Sequence, residues 1–219
     1  MRSSNAISGL FYDGVVVTEA DNDRVFYSEI YHRLQNANPS YPQLLFLNAQ
    51  NKQTVREIIA PLRSFGVPAA ALVDIDIVKD GGADWTNWLR AASIPETEHN
   101  KFRDQRNRVN NAFNQSGKNM KGDGGIKILT GADRATANSL FNGLADHGVF
   151  VVRRGELEHW LPTLSVTGKG TIWAIKMLNR LGSNSNSESY VRPGRGDVWR
   201  FMSDVTAWVK DSSRAGIPK

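Results

Sequence analysis

The feature that most constrains this chain is a set of short apolar runs, VVVT at 15–18, QLLFL at 43–47, AAALVD at 69–74 and GVFVVR at 148–153, separated by longer stretches. A strand packed on one face only alternates apolar and polar residues. A run without polar interruption is buried on both faces, the condition of a parallel sheet covered by helices. Between the first two runs Val25, Phe26, Ile30 and Leu34 recur at helical spacing, and Val55, Ile58, Ile59 and Leu62 do the same between the second and third. The pattern predicts βαβ units with strands at 14–18, 43–47 and 69–74, helices near 22–35 and 53–65, and Gly66 closing the second helix.

Residues 84–146 change character. Trp85 and Trp88 stand one turn apart, and the polar, basic EHNKFRDQRNRVNNAFNQ follows, then a Gly/Lys loop, GKNMKGDGGIK, and a helix near 133–146. This reads as a helical insertion between the third and fourth strands, with the tryptophan pair in the core. The fourth strand, 148–153, runs straight into GELEHWLP. A helix near 171–181, a Ser/Asn-rich loop at 183–189 and a last helix near 197–211 complete a helical C-terminal part, about 165–219. A length of 219 residues suits one domain, 1–219, with an insertion.

The absence of cysteine excludes disulfides, thiolate zinc sites and cysteine nucleophiles. His32, His99, His147 and His159 are scattered, and none forms the one-turn pair of a helical zinc site. A metal here would therefore be a hard cation on carboxylate oxygen. No stretch approaches the roughly 18 apolar residues of a membrane span, and MRSSNAISGLFYDG lacks the apolar centre of a secretory signal, so the expected location is the cytoplasm, with no membrane partner. The net charge of +5 is uneven: residues 1–98 carry 8 Lys/Arg against 12 Asp/Glu, and residues 99–219 carry 19 against 10. An acidic cluster beside a basic surface suits a metal-dependent enzyme acting on a polyphosphate such as DNA.

Ligands of open parallel sheets bind beyond the carboxyl ends of the strands. Three such ends are acidic here. Strand one leads into Glu19, with Asp23 four residues on; strand three ends in Asp74 and Asp76, whose two-residue spacing points both to one face; strand four is followed by Glu156 and Glu158. Asp21 is expected to be the N-cap of the first helix. Each feature alone has an ordinary structural explanation, but several carboxylates pressed together are costly unless a divalent cation neutralises them.

The motifs E-x-x-x-D-x-x-F-Y at 19–27, D-x-D at 74–76 and G-x-L-E at 155–158 resemble a Toprim domain, most closely that of the overcoming-lysogenization-defect (OLD) family of nucleases, which carries a helical insertion at the same place. The resemblance implies an α/β, Rossmann-like parallel sheet flanked by helices and a DNA endonuclease using two Mg²⁺ or Mn²⁺ ions. It makes Glu19, Asp23, Asp74, Asp76 and Glu158 metal ligands, with Glu19 also handling a proton and Glu156 a lesser ligand. A downstream lysine would stabilise charge at the scissile phosphate, and spacing does not choose between Lys169 and Lys176. Lys101, Arg103, Arg106 and Arg108 are candidates for holding the DNA backbone.

The family pairs this domain with an ATPase of the OLD/AAA/ABC type, which is expected here as a separate domain or subunit; a homodimer is an allowed arrangement. The GKGT at 168–171 is not a P-loop, since position 163 is threonine and Gly170 follows the lysine, and GRGDVW fails the dinucleotide fingerprint. The competing readings are a primase- or topoisomerase-type phosphoryl transferase and a noncatalytic nucleic-acid-binding or regulatory module.

Overall fold

In the computed structural model, which describes residues 6–218, four strands form one all-parallel sheet: β1 (Gly14–Thr18), β2 (Leu44–Asn48), β3 (Ala69–Asp74) and β4 (Val149–Val152), in the spatial order β2-β1-β3-β4. Val15 pairs with Leu45 on one side and Ala69 on the other, and Asp74 pairs with Val152. Alternation sends Val15, Val17, Ala69, Ala71, Val73, Val149 and Val151 to one apolar layer, and Val16, Ala70, Leu72, Phe150 and Val152 to the other. Both faces are covered, as the unbroken apolar runs require.

On the first face lie α2 (Lys52–Ser64), α3 (Gly82–Ala91), α4 (His99–Ser116) and α5 (Gly131–Asp146); on the second lie α1 (Asp21–Ala37), α6 (Gly170–Leu181) and α7 (Asp197–Lys210). The segment between β3 and β4 is helical, as its sequence indicates, and Trp85 and Trp88 are each only 1% exposed in the core beneath it. Gly66, with φ +79°, stands just past α2 and donates to Arg63 O, the turn for which a residue without Cβ is suited.

Three local readings change. The N-cap of α1 is Ala20, and Asp21 is the first helical residue, exposed and paired with Arg24 at 2.7 Å. Asp23 serves the helix start instead, its Oδ2 accepting from Ala20 N–H at 3.1 Å. A carboxylate three residues into a helix can reach back to the cap amide, leaving Asp21 free for solvent. The third difference is at Asp76, which lies past the end of β3 in a short 3-10 helix, Ile75–Lys79, because Ile75, Ile77 and Val78 all turn into the core. Strand alternation therefore does not set its direction.

Two buried arginines tie separate elements together. Arg63, 1% exposed, donates to Ala69 O at 2.9 Å, Ala91 O at 3.2 Å and Gly148 O at 3.1 Å, and lies 5.3 Å from the Trp208 ring. It joins the start of β3, the end of α3 and the residue before β4; its partners are carbonyls, and burial pulls its pKa down to about 9. Arg33, on α1, pairs with Glu29 at 2.7 Å and donates to Leu181 O, Gly182 O and Val191 O, with the Tyr190 ring 4.1 Å away. Arg63→Leu takes the guanidinium donor from three inward carbonyls, of which Gly148 O keeps the Ala71 N–H, and the expected loss in a denaturant titration is about 2–4 kcal/mol. A loss below about 1 kcal/mol would show that the clamp is dispensable.

Candidate functional site

The strand order places the topological switch point between β1 and β3: the connection after β1 crosses one face to β2, and the connection after β3 crosses the other to β4. Glu19 follows β1 directly, and Asp74 is the last residue of β3. They meet across this crevice, where Glu19 Oε1 accepts the Asp74 backbone N–H at 2.9 Å. Asp23 rises from the first turn of α1. Glu156 and Glu158 arrive from the turn after β4, where Glu158 Oε1 accepts Gly170 N–H at 2.8 Å.

Asp74 stands at the electrostatic centre of the group. Burial, and then the field of Asp74, pushes Glu19 from its ordinary 4.5 to about 7 and Asp23 from 3.8 to about 7. Asp76 adds to the effect on Glu19, and Glu158 to that on Asp23. Asp74 is itself raised by burial, against the opposing pull of Lys121. Beneath them Tyr27 is buried, its hydroxyl accepting from Trp160 Nε1 at 2.8 Å, which fixes α1 to the segment after β4.

Two lysines with no assigned role in the sequence reading complete the site. Lys121, from the Gly/Lys loop between α4 and α5, places Nζ 2.5 Å from Asp74 Oδ2 and 4.0 Å from Asp76 Oδ2. Lys52, the first residue of α2, lies 2.8 Å from Asp80 Oδ1 and 3.8 Å from Asp76 Oδ1. Lys121 is delivered by backbone packing: Ile126 N–H donates to Arg153 O at 2.8 Å, and a Cβ on Gly155 would collide with Lys121 O. The signal in the sequence was glycine itself, the residue that permits such an approach.

The other named residues divide. Lys169, at the N-cap of α6, reaches Glu156 Oε1 at 2.8 Å and so borders the cluster; Lys176 turns to Thr167 O at 3.2 Å. On α4, Lys101 and Arg103 are exposed, near Glu98 and Asn100 respectively; Arg108 is paired with Asp133 at 2.9 Å. Arg106 bends to Val78 O at 3.2 Å. At 100° per residue Lys101 and Arg108 share one face and Arg103 and Arg106 another, so the four do not form a single basic stripe.

The donor set suits a hard divalent cation: all oxygens, among them Glu19, Asp23 and Asp74, whose proton affinity is raised by burial and then by neighbouring carboxylates. Asp76 Oδ1 is buried and accepts no hydrogen bond, with Lys52 Nζ at ion-pair distance only. Among the described residues, no three of these side chains converge closely enough to hold one ion. Asp74 is instead engaged by Lys121, Glu156 by Lys169, and Glu19, Asp23 and Glu158 by backbone amides.

Residues 10–76 match the family described as "Overcoming lysogenization defect protein-like, TOPRIM domain". Over those residues the chain is similar to an OLD-like Toprim domain. The match ends at Asp76, so it takes in Glu19, Asp23 and the D-x-D pair, while Lys121, Glu156, Glu158 and Lys169 lie beyond it. Comparison with curated proteins and with solved structures gave no match. No described helix is long and apolar enough to cross a membrane.

The raised carboxyls make stability pH-dependent. Between about pH 4 and 7 the folded chain keeps protons on Glu19 and Asp23 that the unfolded chain has released, so stability falls as pH rises through this window and levels off above it. In chelator, the melting temperature should be lower at pH 8 than at pH 5. Glu19→Gln with Asp23→Asn should flatten that slope and stabilise the pH 8 form by about 3 kcal/mol. A variant as pH-sensitive as the parent would remove these two groups as the cause.

Proposed function

We propose that this chain is a Mg²⁺- or Mn²⁺-dependent DNA endonuclease domain of the OLD type, hydrolysing phosphodiester bonds with two ions held by Glu19, Asp23, Asp74, Asp76 and Glu158. The observation that carries the reading is the meeting of carboxylates from the ends of β1, β3 and β4 at the switch point of a Toprim sheet. When bound, the ions would supply an activated water and neutralise charge on the attacking and leaving oxygens.

The side chains have separable tasks. Glu19, oriented by the Asp74 amide and with its proton affinity raised by burial, is the carboxylate placed to accept a proton. Asp74 and Asp76 supply the central negative charge. Glu156 orients Lys169, which, exposed at the rim, is better placed than Lys176 to meet a phosphate. Lys101 and Arg108, on one face of α4, would contact the DNA backbone, while Arg103 lies on the other side of the helix and Arg106 serves the fold through Val78 O. An ATPase domain or subunit of the OLD/AAA/ABC type is the proposed partner, a homodimer the proposed assembly, and defence against phage in the cytoplasm the proposed setting.

The decisive assay is cleavage of supercoiled plasmid in Mg²⁺ and in Mn²⁺. Cutting should vanish with chelator and fall at least about a hundredfold in an Asp74→Ala, Asp76→Ala double variant. Metal binding without cutting would point to a requirement for the ATPase partner. Neither binding nor cutting would favour a noncatalytic module. Lys101→Ala and Arg108→Ala should each weaken DNA binding across sequences and lower the slope of log affinity against log salt by about 1. An unchanged slope would remove α4 from the interface.

A further inference from the structure

Among the described residues Lys121 is the cation closest to the D-x-D pair, and its position differs from those of the other two lysines nearby. Lys52 is committed to Asp80 at 2.8 Å and stands 3.8 Å from Asp76; Lys169 lies on the exposed rim against Glu156. Lys121 alone touches Asp74 and also comes within 4.0 Å of Asp76. Its side chain is 31% exposed, against 19% and 24% for the two aspartates, so the contact is partly shielded from water and salt.

The backbone that carries it is fixed. Asn119 Oδ1 accepts from Lys121 N–H at 2.9 Å and Gly122 N–H at 3.2 Å, Asp123 Oδ2 accepts from Asn119 N–H at 2.7 Å, and Met120 is buried. Lys121 O packs against Gly155, where a Cβ has no room. A held backbone with a four-carbon side chain means that the ammonium can leave Asp74 by rotation about side-chain bonds, with the loop in place.

A divalent cation binds a carboxylate oxygen at about 2.1 Å. An ammonium 2.5 Å from Asp74 Oδ2 occupies that approach, and two cations on one aspartate repel each other. We propose that Lys121 is a tethered counter-ion for the D-x-D pair: its ammonium holds Asp74 and Asp76 while no divalent cation is bound, and a cation entering the pair displaces it. The proposal rests on the metal-site reading above and adds that the protein itself competes with its metal. The apparent metal affinity is then set by the insertion loop as well as by the carboxylates.

Calorimetric titration with Mn²⁺ of the full chain and of Lys121→Met, which keeps the stem and removes the charge, tests this directly. The variant should bind Mn²⁺ about tenfold tighter or more, the change expected when one close competing charge is removed. Equal or weaker binding in the variant overturns the tethered role and leaves the metal site standing. Absence of binding in both overturns both readings. A measurement on the unaltered protein guards against a variant that does not fold. Reductive methylation of Lys121, followed by mass spectrometry, should speed up when Mn²⁺ is added, since displacement frees the amine. An unchanged rate under conditions where calorimetry shows Mn²⁺ binding overturns the proposal.

Discussion

Repulsion among carboxylates at the carboxyl end of the sheet sets the terms for the elements around it. Parallel strands necessarily point their ends the same way, and here β1 and β3 lie side by side, so whatever follows them is brought to one place. The chain puts Glu19 after one and Asp74 at the tip of the other, then adds Glu156 and Glu158 after β4. Such a group persists in a fold only when its charge is offset. The offsets are distributed over distant pieces of sequence: a lysine from the start of α2, one from the insertion and one from the start of α6, with backbone amides engaging the remaining carboxylates.

The opposite end of the sheet has the opposite character. There Arg63 satisfies carbonyls from the start of β3, the end of α3 and the approach to β4, and Trp208 covers it from the other layer. Stabilising contacts collect at the amino ends of the strands, and groups in mutual electrostatic conflict at the carboxyl ends. This division lets the domain hold destabilising charge without losing the frame that positions it.

What could be read from the sequence follows from this physics. Strands buried on both faces announce themselves as apolar runs, so β1, β3 and β4 were located to within a residue, and β2, an edge strand with a more exposed pattern, was placed one residue early. Glu19 and Asp74 were legible because a strand end is a definite place. Asp21 was misassigned because Asp23 took over the helix start through its side chain, something that residue type alone does not reveal. The direction of Asp76 rests on a 3-10 turn rather than on strand alternation. Lys121 escaped because its approach to Asp74 depends on contact between two backbones at Gly155, and a long-range contact of that kind leaves no periodic trace.

The spread of the acidic group along the chain has a bearing on synthesis. Glu19 is made early, while Glu158 and the Gly170 amide that holds it emerge only after the whole insertion has left the ribosome. β4, whose pairing with β3 carries Glu158 to the others, is equally late. A nascent or truncated chain therefore owns the first half of the constellation and cannot close it. Whatever chemistry these carboxylates perform is withheld until translation has passed the last strand.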